Sequence, residues 1–375
     1  MNNKESQHER PTVYTPNEIK RIEWMTLVSY GGASLREAAI ALSLSRAQVY
    51  RVFQRYCESG GAGLRHQLRG RRSNRAYPTK LKEQVSDIVI KNYSDFGPTL
   101  TQEMLEKYHG IQLAKSTIRR WLIQARLWFV DRLKRRRIHR PRKRSARFGQ
   151  QIQVDGSYHH WFEERGASCV LMLHVDDATG AILHGQFFRS ETTNAYLEST
   201  RSCVRRHGKP IAIVTDRHAA VGEHYKAALD EIGTIHSFAN SPQSKGRVER
   251  MNRTLQDRLV KEMRLENISS IEDGNNFIGR YIIGFNEKFA RPPKDKKCAF
   301  RTITAHDKLD LIFSKRFRRK VSRQLTFSID GDIFVIAPSA ADHHLAGNWV
   351  DIRLLTDGCM AVLFDGVCLN AACAY

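Results

Sequence analysis

The sequence predicts a multidomain protein with an all-α N-terminal part, a central α/β part with a mixed sheet, and a small C-terminal β-barrel. Up to about residue 128, helix start signals alternate with apolar residues at helical spacing. From Phe148 onward, strand-like runs come first and then alternate with helical segments. After Arg323, short strand-like runs are separated by Asp-Gly turns.

The composition indicates a polyanionic partner. The chain has 61 Lys and Arg against 39 Asp and Glu, a formal net charge of +22. No apolar run approaches the roughly 20 residues that span a bilayer, so nucleic acid is favoured over a membrane. The N-terminal residues are polar, and the seven cysteines form no C-x-x-C pair. A cytoplasmic protein without a disulfide framework or zinc ribbon is therefore expected.

Residues 15–60 predict a first helix-turn-helix domain. Three capping boxes mark helix starts, at Thr15, Ser34 and Ser45. The last two boxes begin two short helices that are joined by a tight turn, and the second of these helices is expected to enter a DNA groove. Its candidate DNA-binding side chains are Arg46, Gln48 and Arg51. An ordinary three-helix bundle is the alternative.

Residues 76–128 predict a second helix-turn-helix domain. It has a fourth capping box at Thr99–Gln102 and a last helix from Ser116, with Arg119 and Arg120 facing outward. A basic linker follows at 129–147. Thirteen Lys and Arg and a single acid lie between Arg119 and Arg147, which indicates contact with phosphates. The run expected to bind DNA there is Lys134, Arg135, Arg136 and Arg137.

Residues 148–295 predict the α/β domain, in the order β-β-β-α-β-α-β-α. Asp155 is predicted at the end of the first strand, Asp216 at the end of the fourth, and Glu249 early in a long helix. Carboxylates at neighbouring strand ends converge in the crevice where α/β proteins bind ligands. Three acids without histidine or cysteine neighbours suit Mg²⁺ or Mn²⁺. Two such ions about 4 Å apart support phosphoryl transfer.

Several stretches resemble one enzyme family. They are V-D-G-S at 154–157, V-T-D at 214–216, N-S-P-Q-S-K-G-R-V-E-R at 240–250, T-L-Q-D-R-L-V-K-E at 254–262 and F-G-P-T-L at 96–100. Together they resemble the integrase catalytic core of DDE transposases, which is RNase H-like, and the bacterial ISNCY insertion-sequence transposases in particular. The resemblance implies that Asp155, Asp216 and Glu249 are catalytic and bind two metal ions.

The resemblance also implies an activity. A transposase would bind the terminal repeats of its element in double-stranded DNA, hydrolyse a phosphodiester at each end and join the freed 3′-hydroxyl to target DNA. A homo-multimer assembled on DNA is expected, because two ends are processed together. The alternatives are a DNA-binding regulator with an inactive core, and an RNase H-like nuclease without strand transfer.

Other residues near the three acids receive weaker assignments. Lys245, Arg247 and Arg253 are predicted to contact phosphates, since Arg253 lies one helical turn from Glu249. His218 either assists the site or is structural. The pairs Asp176-Asp177 and Glu163-Glu164 are better explained as turns. Residues 315–375 predict the β-barrel-like C-terminal module, whose role the sequence leaves open.

Overall fold

The computed structural model describes residues 14–66, 76–129, 142–217, 221–239, 242–337, 345–369 and 371–373. The chain divides into two compact units, Met1–Ser94 and Asp95–Tyr375. Among the described residues, no helix has both the length and the apolar character needed to span a membrane.

The first unit is helical. Its helices are α1 (Pro16–Ser29), α2 (Leu35–Leu42), α3 (Arg46–Ser59) and α4 (Thr79–Asn92). All three capping boxes predicted in residues 15–60 are present, because the side chains of Thr15, Ser34 and Ser45 each accept a hydrogen bond from the backbone three residues later. The apolar sides of α1, α2 and α3 share one core. The start signals in the sequence therefore locate these helices correctly.

The second unit begins with two helices, α5 (Pro98–His109) and α6 (Lys115–Gln124). The capping box predicted at Thr99–Gln102 is wrong. The helix begins two residues earlier, at Pro98, and its N-cap is Gly97, which makes no side-chain capping bond. Proline explains the difference, because its fixed φ and missing N–H suit the first helical position.

A five-stranded mixed sheet forms the centre of the second unit, as predicted. Its strands lie in the order β3-β2-β1-β4-β5, antiparallel among β1, β2 and β3 and parallel from β1 through β4 to β5. The elements are β1 (Gln151–His159), β2 (Cys169–Asp176), β3 (Ile182–Phe188), α7 (Thr193–His207), β4 (Ala212–Thr215), α8 (Glu223–Glu231), β5 (Ile235–Phe238), α9 (Pro242–Leu265) and α10 (Ile271–Phe289).

Helices cover both faces of this sheet. On β2, Val170 and Met172 pack with α7 and α8, whereas Leu171 and Leu173 pack with α9 and α10. The strand is buried along its whole length, which explains why residues 169–173 form a continuous apolar run rather than an alternating one. The site described below lies on the α9 face.

The described strands of the C-terminal part form two sheets that do not close, so the predicted β-barrel is not confirmed. It contains α11 (Leu309–Ile312), β6 (Lys315–Lys320), β7 (Thr326–Ile329), β8 (Asp332–Ile336), β9 (Trp349–Leu354), β10 (Met360–Phe364), β11 (Val367–Leu369) and β12 (Ala371–Cys373). The sheets have the orders β11-β10-β9-β6 and β12-β8-β7. They share one apolar core, which includes Phe327 and Ile352. Alternating apolar residues predict strands with one buried face but do not determine whether the sheet closes.

Candidate functional site

Two of the three predicted acids, Asp155 and Asp216, lie where the pairing between β1 and β4 ends. Pairing between these strands stops at Gln153 and Val214, and Asp216 directly follows β4. The sequence suggested that Asp155 ends its strand. This is wrong, because β1 stays paired with β2 as far as His159. Asp155 lies two residues after Gln153, the last residue of β1 that pairs with the parallel strand β4, so this edge of β1 is open at Asp155.

Lys245 of α9 brings these two acids together. Its Nζ lies 2.6 Å from Oδ1 of Asp155 and 3.0 Å from Oδ2 of Asp216. Only 1% of the Lys245 side chain is exposed, against 20% for Asp155 and 59% for Asp216. A lysine is rarely buried unless it is paired. The ammonium group therefore offsets part of the negative charge of the two carboxylates at this edge.

A row of hydrogen bonds fixes α9 along β1. The Val248 backbone N–H donates to Oε1 of Gln153 over 3.1 Å. The Asn252 amide donates to Oδ2 of Asp155 over 2.7 Å. Farther along both elements, the Gln256 amide donates to Oγ of Ser157 over 3.1 Å. The polar residues at alternate positions of β1 were the signal for this row, and the sequence-based interpretation missed it.

Glu249 occupies the same face of α9. It lies four residues after Lys245 and three before Asn252, and both of those side chains contact Asp155. Its own side chain is exposed. Within the described residues, no three His, Cys, Asp or Glu side chains form a group that could hold a metal ion. The structure thus brings Asp155 and Asp216 together and places Glu249 on the adjoining helix face.

The surroundings of Asp155 favour a cation. Burial raises the pKa of the Asp155 carboxyl, Lys245 opposes that shift, and the negative charges of Asp216 and Glu191 add to it. Oδ1 of Asn252 is buried beside Asp155 and lacks a hydrogen-bond donor among the described residues. Oxygen ligands and a free buried acceptor, able to bind metal-coordinated water, fit a hard divalent ion.

Glu191 is a further acid at the site, and the sequence-based interpretation did not identify it. The Tyr196 hydroxyl donates to its Oε1 over 2.7 Å. A Cβ added to Gly156 would lie 2.6 Å from the Glu191 carboxyl carbon, so a larger residue next to Asp155 would displace this carboxylate from its present position. Gly156, directly after the strand aspartate, was the available signal.

Asp177 belongs to a turn, as predicted, yet its carboxylate is 1% exposed and paired. It accepts hydrogen bonds from Arg142, Arg247, the Gln153 amide at 2.7 Å and the backbone N–H of Ser145 at 2.8 Å. The carboxylate thus connects the segment before β1, β1 itself and the first turns of α9. Arg247 is therefore engaged within the protein.

The remaining predicted DNA contacts differ in their surroundings. In the first unit, Arg46, Gln48 and Arg51 lie on the exposed side of α3, although Gln48 also accepts the capping hydrogen bond from Ser45. In the second unit, Arg119, Arg120 and Arg253 are exposed. The run Lys134–Arg137 and His218 lie outside the described residues.

Sequence comparisons identify relatives over most of the chain. The family model described as "Homeodomain-like domain" matches residues 48–122. A protein of Sinorhizobium fredii (strain NBRC 101917 / NGR234), named "Putative transposase y4bF", is 37% identical over 362 residues, which cover 93% of this chain and 79% of that protein. The transposase for insertion sequence IS1202 of Streptococcus pneumoniae is 28% identical, over 81% of this chain and 75% of that protein.

Solved structures with some similarity come from retroviral integrases. The HTLV-2 integrase catalytic core domain in complex with magnesium covers 41% of this chain and 96% of its own, with 19% identity and a TM-score of 0.34. The simian T-cell lymphotropic virus intasome in complex with PP2A regulatory subunit B56 gamma covers 73% of this chain and 96% of its own, with 14% identity and a TM-score of 0.36.

Proposed function

Because the chain belongs to the insertion-sequence transposases, we propose that it cuts and joins DNA at the edge of the sheet where Asp155 and Asp216 meet. Glu249, on the adjoining face of α9, completes the set of acids in this proposal. One observation carries it: the carboxylates of Asp155 and Asp216 converge on a single buried cation, the Lys245 ammonium.

Asp155, Asp216 and Glu249 would hold two divalent ions, Mg²⁺ or Mn²⁺, which activate the attacking oxygen and stabilise the leaving one. Asn252 holds one oxygen of Asp155 at 2.7 Å and so fixes the orientation of that carboxylate. The bonds from α9 to Gln153 and Ser157 hold the helix, and with it Glu249, at a constant position along β1. Such preorganisation is what electrostatic catalysis requires.

Double-stranded DNA is the proposed substrate for both units. In the first unit, the exposed side of α3 with Arg46, Gln48 and Arg51 would read the terminal repeats. In the second unit, Arg119, Arg120 and Arg253 would contact phosphates, with the run Lys134–Arg137 between them in sequence. Arg247 and Lys245 pair with acids in the protein, so they are weaker candidates for phosphate contact. A homo-multimer on DNA is part of the proposal.

The test uses oligonucleotides that carry the terminal inverted repeats expected to flank the coding region. We expect Asp155→Asn, Asp216→Asn and Glu249→Gln each to lower cleavage and joining by roughly a hundredfold or more, without loss of DNA binding. Asp257→Asn is the matched control, since Asp257 lies on the same helix, is 60% exposed and pairs with Lys261. Unchanged cleavage in all three acid variants would contradict the proposal.

The products separate the alternatives. Cut ends without joined products would indicate a nuclease without strand transfer. Specific binding to the repeats without cutting, in Mg²⁺ or in Mn²⁺, would indicate a DNA-binding regulator with an inactive core. Cut and joined products that both require Asp155 would support the transposase chemistry.

A further inference from the structure

Lys245 is a deeply buried charged residue that contacts both Asp155 and Asp216. Its side chain is 1% exposed, and both of its carboxylate partners are proposed metal ligands. The sequence favours a different role, contact with DNA phosphate. A lysine that faced the DNA backbone would extend its ammonium into solvent. In this structure the ammonium instead points into the protein, at the position expected for a metal ion.

We propose that Lys245 is a positioning residue that holds the Asp155 and Asp216 carboxylates together before metal ions enter, and that the ions displace it. The inference rests on the proposed function, since it takes these two aspartates to be metal ligands. Lys245 then serves as an internal counter-cation of the metal-free protein. It keeps two acids close that would otherwise repel each other.

Displacement follows from the atoms involved. Nζ faces Oδ1 of Asp155 and Oδ2 of Asp216, so an ion that binds those oxygens competes for the same lone pairs. A divalent ion and an ammonium also repel each other at such short range. The lysine has a flexible four-carbon stem, and Asp216, one of its partners, is 59% exposed. The ammonium therefore has a short path to solvent.

Lys245 is not the only side chain that holds the Asp155 carboxylate in position. Its second oxygen, Oδ2, accepts the Asn252 amide at 2.7 Å. When Lys245 leaves, this bond keeps the carboxylate in place for the incoming ion. Asp216 is 59% exposed, which leaves its carboxylate free to adjust to the ion.

The first test measures how fast acetic anhydride modifies Lys245 in the full-length wild-type protein, read by mass spectrometry. We expect slow modification in metal-free buffer and a severalfold increase when Mn²⁺ or Mg²⁺ is added at constant ionic strength. Lys209 is the internal control, because its side chain is 13% exposed and pairs with Asp307, which is not one of the proposed metal ligands. Its modification should not respond to the metal.

The second test measures Mn²⁺ binding by calorimetry. Lys245→Met removes the competing cation, so we expect Mn²⁺ to bind roughly tenfold more tightly than to the wild type. Lys209→Met should leave the affinity unchanged. Equal or weaker binding in Lys245→Met overturns the inference, and so does Lys245 modification that stays slow when Mn²⁺ is bound. The modification test needs no variant, so a folding defect in Lys245→Met does not remove the test.

Asp155→Asn separates this inference from the proposed function. Mn²⁺ binding that persists in Asp155→Asn, or no Mn²⁺ binding to the wild type, overturns the metal site and the inference with it. Mn²⁺ binding that requires Asp155, combined with no effect on Lys245, overturns the inference alone. Binding that requires Asp155 and exposes Lys245 supports both.

Discussion

Replacing Asp177 with asparagine removes one negative charge from a buried position and nearly keeps the shape of the side chain. The carboxylate is 1% exposed and pairs with Arg247, which is 12% exposed, and with Arg142, which is 35% exposed. It also accepts hydrogen bonds from Gln153 and Ser145. The substitution therefore leaves a nearly buried guanidinium group without its counter-charge.

The expected loss of stability follows from the burial of each pair. Removing one partner of a buried ion pair costs about 3–5 kcal/mol, which applies to Arg247. The pair with Arg142 adds less than about 1 kcal/mol, because solvent screens it. A loss of about 4 kcal/mol corresponds to a fall in Tm of roughly 10 °C for a unit of this size.

The assay is thermal and urea unfolding of the full chain in metal-free buffer, followed by tryptophan fluorescence. Asp310→Asn is the matched control: Asp310 also pairs with two arginines, Arg201 and Arg205, but is 58% exposed. Its loss should cost less than about 1 kcal/mol. Equal shifts in the two variants would refute the reasoning from burial.

Three further outcomes are expected. Burial lowers the pKa of His174 well below its ordinary value of 6.5, so the unfolded chain binds the extra proton and stability is lost as the pH falls below 6.5. His174→Gln should reduce that loss by up to about 1.4 kcal/mol per pH unit in urea unfolding, whereas the exposed His160→Gln should not; parallel pH profiles would refute this. Burial raises the pKa of Glu262, so ionising it costs the folded state stability above its ordinary value of 4.5. Glu262→Gln should raise Tm at neutral pH but not in acid, whereas the control Glu266→Gln should leave Tm unchanged. A gain in Tm in acid alone would contradict this prediction. In repeat-DNA binding, Arg120→Gln should reduce the slope of log affinity against log salt by about 0.9, because Arg120 is proposed to contact one phosphate, and an unchanged slope would exclude that contact.

The sequence predicts the central sheet well because each of its strands has a strong local pattern. β2 begins with an apolar run over residues 169–173, and β5 has the predicted bounds, Ile235–Phe238. Long-range pairing is the harder problem. Asp155 was placed at the end of a strand predicted over residues 151–155, but pairing with β2 continues β1 to His159.

The roles of Lys245 and Asp177 could not be predicted from local sequence. Lys245 lies 90 residues from Asp155, and a lysine near the start of a basic helix is ordinarily solvated. Asp177 follows a strand in a turn, where an exposed aspartate is the usual case. Only the folded arrangement of β1 and α9 brings these charges to their partners.

The alternation of polar and apolar residues in β1 has a structural role beyond that of placing one of the three acids. Gln153, Asp155 and Ser157 point to one face, and that face is covered by α9 rather than by water. Two residues along a strand advance about 6.6 Å, and four along a helix advance about 6 Å. The pairs Gln153–Val248, Asp155–Asn252 and Ser157–Gln256 follow this spacing.

A shift of α9 by one residue would therefore break all three of these bonds at once, and it would carry Lys245 away from Asp155. An apolar face would define the position of the helix less sharply, because the hydrophobic effect is non-directional. Buried polar groups do not tolerate it, since each one left unpaired costs about 1–3 kcal/mol. The polar face of β1 thus fixes the position of the helix that carries Glu249, at some cost in core packing. This is the physical reason for a polar strand face at the centre of the sheet.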